Sequence, residues 1–342
     1  MRTTSCTTWV FLPLIFAACG RIGFDSLGGS ADGNATGDGA AVVSCAGLAP
    51  TCGRAGSSPC CDSLLVPGGT YLRSYDVAID MTFNDMMDPA TVSDFRLDTF
   101  EVTVGRFRQF VTAGMGTQQA PPPTGEGARM LNGMASQGGW DPSWTSSLAA
   151  DPTSFGAALK CNAMSQTWTD TPAANEALPI NCVTWYEAFA FCAWDGGFLP
   201  TEAEWNYAAV GGAEQRAYPW SNPPASLVVD CAHANYYDSG AGISCVANSV
   251  QNRVGSESPL GDGKWGQADL GGNASEWTLD WEQVPYPNPC NDCADLTVSS
   301  AKIVRGGDSF NYQFNLRGAS RSGVYPPASR SAAVGVRCAR SP

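Results

Sequence analysis

The stretch Pro179-Ile-Asn-Cys-Val-Thr-Trp-Tyr-Glu-Ala-Phe-Ala-Phe-Cys192, continued by Gly197-Phe-Leu-Pro-Thr-Glu-Ala-Glu-Trp-Asn-Tyr-Ala-Ala209, carries the clearest local signals in this chain of 342 residues. Thr184 followed by Glu187 is a capping box, in which each side chain satisfies a backbone N–H at the helix start. The spacing predicts a helix with Ala188, Phe189, Cys192 and Ala193 on an apolar face, stopped by Gly196-Gly197. Thr201 followed by Glu204 repeats the device after Pro200, and Gly211-Gly212 end the second helix. Two short capped helices joined by Phe198-Leu199-Pro200 are scaffold, not chemistry.

Upstream, Val66-Pro-Gly-Gly-Thr-Tyr71 reads as a turn entering a strand. Asp94 to Val102 alternates apolar and polar residues over much of its length, as a half-buried strand does. Thr103 then caps a short helix with Val104, Phe107, Phe110 and Val111 on one face. Residues 114–175 are rich in Gly, Pro, Ser and Thr and read as long surface loops, pinned by Trp140, Trp144 and Trp168. Cys45, Cys52, Cys60 and Cys61 form a tight cluster that closes on itself. Adjacent cysteines rarely bond each other, so Cys60 and Cys61 each pair with one of the other two, making 45–62 a small stapled cap.

The first residues read as a targeting segment. Arg2 supplies a positive start, and the apolar run Trp9–Ala18 is too short to span a bilayer as a helix. It ends in small residues before Cys19, which resembles a bacterial lipobox; plain signal cleavage near Ala18 is the alternative. The expectation is a signal peptide at 1–18, a lipidated Cys19, and export with a lipid anchor facing the periplasm or the cell surface. Residues 19–44 are mostly Gly, Ala, Asp and Ser and read as a flexible tether, because so little apolar surface cannot offset the entropy of ordering. The domain proper then spans 63–342.

A net charge of −13 argues against nucleic acid and anionic lipid surfaces as partners, so the membrane is met through the anchor alone. Hydrophobic residues make up 44% of the chain, ample for a core. Of 14 cysteines, Cys6 leaves with the signal and Cys19 takes the lipid, so 14 − 2 leaves 12. An even number in an exported chain implies a disulfide framework.

The two capped helices, followed in order by Tyr218-Pro-Trp220, Asp269-Leu-Gly-Gly-Asn-Ala-Ser-Glu-Trp277, Arg305-Gly-Gly307 and Gly335-Val-Arg-Cys338, resemble the formylglycine-generating enzyme (sulfatase-modifying factor) family. Pro67-Gly-Gly-Thr70 and Glu101-Val-Thr103 match its opening. The resemblance implies an α+β, C-type-lectin-like single domain with much irregular chain, stapled by disulfides. It joins Cys192 to Cys338. A second family bridge falls on Ala209 and Gly318, where both cysteines are missing together. Cys231 with Cys245, Cys290 with Cys293 and, by elimination, Cys161 with Cys182 complete the expected set.

The family's oxidase holds copper on two cysteines just after Arg-Gly-Gly, whereas here Gly307 to Arg321 contains none. Cu(I) selects thiolates, so no copper is expected. A related branch holds iron on several histidines; the chain has 1, His233, read as structural, so no iron is expected either. No Gly-x-Ser-x-Gly elbow or phosphate loop is present. Cys290-Asn-Asp-Cys293 reads as a closed structural disulfide, because Asp292 and Asp295 flank it and a reactive thiolate needs cationic neighbours. The resemblance implies calcium on Asp269, Glu276 and the carbonyls of Gly272 and Ala274, an oxygen set suited to that ion. A second site would begin at Asn235 and Tyr236.

These readings point to a calcium-stabilised, non-catalytic binding or structural module. Its groove would be rebuilt with Asp308, Asn311, Tyr312, Gln313, Arg317 and Arg321 for an unknown protein or small-molecule ligand. The alternative is a formylglycine-generating-type oxidase acting on a protein cysteine, or another enzyme using the same groove.

Overall fold

Thr184 Oγ1 accepts the Glu187 amide at 3.2 Å while Glu187 Oε2 accepts the Thr184 amide at 3.0 Å, which starts helix α3 (Trp185–Trp194). Thr201 and Glu204 do the same at 3.0 and 2.9 Å for α4 (Glu202–Ala209). Gly196 and Gly211 lie past the two helix ends at φ of 76° and 66°, where a side chain would be strained. Thr103 caps α1 (Val104–Thr112). Within 114–175 the chain forms α2 (Pro152–Ala158), whose Asp151/Ser154 capping box the loop reading passed over. The computed structural model describes residues 42–131, 134–135 and 138–342. The signal peptide, Cys19 and nearly all of the tether lie outside the described residues.

Three small sheets hold the helices. Phe95–Asp98 lies between Ser63–Val66 and the C-terminal Ala339–Arg340, both antiparallel to it. Pro89–Val92 pairs antiparallel with Gly69–Leu72 and parallel with Cys290–Asn291. Lys302–Arg305 and Ser275–Trp281 form the centre of the third sheet, flanked by Gly323–Tyr325 and Val334–Gly335. The strand read as running to Val102 stops at Asp98. Beyond it, Val102 donates its N–H to Val336 and accepts the Ile180 N–H, so its backbone serves two other segments.

The main core packs α1, α2 and α3 against the third sheet through Phe107, Phe110, Phe155, Trp185, Phe191 and Trp277. A second core seats α4 on the first two sheets through Tyr71, Phe95, Leu97, Trp205 and Tyr207. Helix α3 is buried on nearly every face and not on one stripe, and even Glu187 is buried, paired to Arg330 at 2.5 Å. A dry ionic knot ties the elements together. Arg106 bonds Asp98 at 2.8 Å and Asp195 at 2.6 Å, and Arg340 reaches both carboxylates. Removing one member of such a set strands a buried charge, at a cost of about 3–5 kcal/mol.

Residues 45–62 are sewn into this body. Cys45–Cys61 and Cys52–Cys60 close the cap. Cys52 and Cys60 share a core with Phe100, Val254 and Ala268, and Ser44 donates its N–H to Asp195 at 2.7 Å. The remaining bridges are Cys161–Cys182, Cys192–Cys338, Cys231–Cys245 and Cys290–Cys293. Among the described residues no helix is long and apolar enough to cross a membrane.

Candidate functional site

Arg305-Gly-Gly307 turns sharply off the third sheet. Gly306 and Gly307 take φ of 97° and 69°, and a Cβ on Gly306 would press on the Trp205 indole at 3.2 Å. Arg305 is buried, donates to the carbonyls of Gly318 and Ser320, and lies 3.7 Å from Glu202 Oε1. It therefore staples the start of the segment to its end.

The six residues expected to line one groove do not form one wall. Asp308 is buried, accepting the Phe310 N–H at 2.9 Å and the Ser275 hydroxyl at 3.1 Å, and burial raises its pKa to about 6. Arg317 is buried against Asp76 at 3.1 Å and Asp80 at 2.5 Å, its guanidinium over the Phe83 ring. Arg321 engages different partners, Glu202 at 2.8 Å and the face of Tyr286 at 4.3 Å. The reason is tertiary: loop residues 76–83 and 283–286, with Glu202 of α4, bring acids and rings to these cations and consume them.

What stays outward is narrower. Asn311 uses its carbonyl on the Tyr237 N–H, Gln313 accepts from Ser239 at 3.0 Å, and Tyr312 stands edge-on to Tyr237. Phe310, Tyr312 and Phe314 are exposed, and Phe314 stacks on Phe83. The same loop adds exposed Ile79 and Met81. Sequence reading missed Phe83, Glu202 and Tyr286 as neighbours of this segment. The run Asp76, Asp80, Asp85, Asp88 with Met81, Met86 and Met87 was the available signal, an unusual mix for a plain loop.

The second candidate region winds around Glu101. This fully buried carboxylate accepts the Ala274 N–H at 2.9 Å and the Asn273 amide at 2.6 Å. Burial, then the nearby Asp269 and Glu276, push its pKa well above the usual range. Asn273 Oδ1 in turn accepts from Asn252 and Asn235. Asp269 and Asn273 are held at φ of 58° and 61°, the left-handed conformation the loop requires.

Glu276 does not fit the calcium role expected of it. Both its oxygens receive Arg337, at 2.8 to 3.1 Å, and Oε2 also accepts the Trp205 indole N–H at 2.7 Å. Arg337 further donates to the carbonyls of Asp98, Thr99 and Ala268, so an internal cation already occupies the carboxylate. Asp269 commits Oδ2 to the Gly255 N–H at 2.6 Å, and burial raises its pKa to about 7. The Tyr236 carbonyl accepts the Cys245 N–H. Three buried oxygens in this region have no hydrogen-bond partner: Asn235 Oδ1, Asn252 Oδ1 and Glu257 Oε2. Glu257 is coupled electrostatically to Asp269, and its Oε1 accepts from Asn252 at 2.8 Å. Among the described residues no three His, Cys, Asp or Glu side chains group as a metal set.

His233 bonds Asp230 at 2.8 Å and stacks on Trp220, a structural placement.

Residues 49–342 match the model of the sulfatase-modifying factor enzyme 1-like domain. The formylglycine-generating enzyme of Bos taurus is 32% identical over 168 residues, which cover 47% of this chain and 43% of that enzyme. That of Streptomyces coelicolor is 33% identical over 174 residues, covering 52% of its length. The chain thus spans about half of these enzymes. The inactive C-alpha-formylglycine-generating enzyme 2 of Mus musculus is 26% identical over 290 residues, covering 81% of this chain and 84% of that protein. Among solved structures, PvdO from Pseudomonas aeruginosa superposes with a TM-score of 0.54 at 18% identity, over 82% of this chain and 94% of that one. Treponema denticola variable protein 1 gives 0.52 at 17% identity, over 82% of this chain and 95% of that one. These likenesses show a shared fold, the α+β, formylglycine-generating-enzyme-like and C-type-lectin-like arrangement.

Proposed function

Because the chain belongs to the sulfatase-modifying factor enzyme 1-like family, we propose that it uses this scaffold as a non-catalytic binding or structural module and not as a formylglycine-generating oxidase. The observation that carries this is the segment after Arg305-Gly-Gly307. It has no cysteine before Arg321, and its Asp308 and Arg317 are spent inside the protein. Thiolates are what Cu(I) requires, and every described cysteine is in a disulfide. The wide coverage by a relative named inactive supports the same reading.

The binding surface of this module is the exposed aromatic strip Phe310, Tyr312 and Phe314 beside Ile79 and Met81. Exposed aromatic and methionine side chains grouped this way suit an interface. In this reading the protein is exported and anchored by lipid at Cys19, and the strip meets its partner outside the cell. Calcium enters as a stabiliser at Asp269, with Glu257 and Asn252 in place of Glu276. Support comes from the partnerless Glu257 Oε2 and Asn252 Oδ1, hard oxygens of the kind calcium takes.

The test is direct. Purified protein is incubated with Cu(I), oxygen and a cysteine-containing sulfatase-type peptide, with a formylglycine-generating enzyme as control. No copper-dependent oxygen uptake and no aldehyde are expected; formylglycine formation would overturn the proposal.

A further inference from the structure

The Cys290–Cys293 bridge is asymmetric in a way its flanking residues conceal. Cys290 is buried on the second sheet, whereas Cys293 is partly exposed. Arg73, 220 residues away in sequence, brings Nη1 to 3.7 Å from Cys293 Sγ. This guanidinium is fixed: it donates to Pro287 O at 2.8 Å, has Nε 3.4 Å from Asp88 O, and lies 4.4 Å over the Tyr286 ring. The flanking acids that argue against a thiolate face elsewhere. Asp292 binds Ser93 at 2.6 and 2.7 Å and Arg129 at 3.2 Å. Asp295 accepts the Thr297 N–H at 3.0 Å.

A cation held against one sulfur of a Cys-x-x-Cys pair stabilises that sulfur as thiolate, the condition for exchange. We propose that Cys290–Cys293 is a thiol–disulfide exchange site whose substrate is a cysteine pair in a polypeptide. A substrate thiolate attacks Cys293 Sγ, the Cys290–Cys293 bond breaks, and Cys290 leaves as thiolate and takes a proton. The second substrate thiolate then attacks the substrate sulfur of the mixed disulfide and releases Cys293 as a thiolate beside Arg73. The substrate dithiol is oxidised by two electrons and the Cys290–Cys293 pair is reduced by two. Exposed Met86 and Met87 lead into Asp88, whose carbonyl receives Arg73, and Val284 is exposed on the loop carrying Tyr286. These exposed apolar side chains lie on the two segments whose carbonyls hold Arg73, and in this proposal an extended peptide rests along them.

The experiment uses the intact, oxidised protein. It is exposed to reduced glutathione, quenched with an alkylating agent and mapped by mass spectrometry. Cys290 and Cys293 are expected to label ahead of the other five pairs while the protein stays folded. In the reduced pair, the pH midpoint for Cys293 alkylation should fall below the ~8.5 of a free thiol. Arg73→Gln should raise that midpoint by about one pH unit, a tenfold fall in proton concentration, and Arg73→Lys should bring it most of the way back. A dithiol peptide should be oxidised once per protein. The proposal is overturned if the bridge opens no earlier than the others, or if Cys293 titrates at or above the free-thiol value. Should Arg73→Gln not fold, these two wild-type measurements decide alone.

Discussion

Arg337 and Glu276 meet through Nε at 3.0 Å from Oε1 and Nη2 at 2.8 Å from the same oxygen, with neither side chain reachable by solvent. The pair closes the protein, because Glu276 lies in the Ser275–Trp281 strand and Arg337 precedes the final strand. Glu276→Ala leaves a guanidinium buried without its carboxylate. It should cost about 3–5 kcal/mol in denaturant unfolding, with or without calcium. A loss under 1 kcal/mol would show that the pair contributes little.

Calcium should act through a different carboxylate. An ion that binds only the folded state raises stability by mass action. A metal-free sample should therefore melt at higher temperature in millimolar calcium than in chelator, and Glu257→Gln should erase the difference. Equal melting temperatures in the two buffers for the wild type would remove calcium from the proposed function.

The Cys192–Cys338 bridge spans 146 residues of chain. The loop-entropy model assigns such a closure about 4–5 kcal/mol, acting on the unfolded state. The double variant Cys192→Ala/Cys338→Ala should lose stability of that order, while single removal of Cys231–Cys245, separated by 14, should lose less. Guanidinium titrations of the two variants make the comparison.

Lys302 is buried, bonds Leu279 O at 2.7 Å and lies against the Trp185 and Trp281 rings. Burial lowers its pKa from 10.5 to about 7, with Asp280 and Asp295 opposing. Between pH 7 and 9 the unfolded chain therefore holds a proton on this amine that the folded chain has released. Stability from this group must rise with pH across that window. Unfolding measured beside Lys302→Met should show the wild type gaining relative to the variant from pH 7 to 9. A flat difference would mean that the amine stays charged in the fold.

Cys19→Ala should release the protein into the soluble fraction and abolish fatty-acid labelling. Retained membrane association with labelling intact would rule out the anchor.

Local physics made much of the fold legible. The Thr184/Glu187 and Thr201/Glu204 boxes and the glycines after each helix are short-range bonds written within four residues, so they can be read without a structure. The ordered motifs from Pro67 to Cys338 carried the family in the same way. The strand, by contrast, stops at Asp98, and Val102 beyond it finds partners in Ile180 and Val336, which no local pattern announces. The site was less legible still, because its chemistry depends on which charge meets which across long separations. Asp308 and Arg317 read as free groove residues, but burial and the Asp76–Phe83 loop consume them. Glu276 read as a calcium ligand, yet Arg337, 61 residues on, already holds it. The acids flanking Cys293 suggested an inert sulfur, and only tertiary packing set Arg73 against it. Sequence alone determined the capped helices α1, α3 and α4 and the missing thiolates; tertiary structure decided the charge pairing, since Coulomb and hydrogen-bond partners are chosen by distance in space and not along the chain.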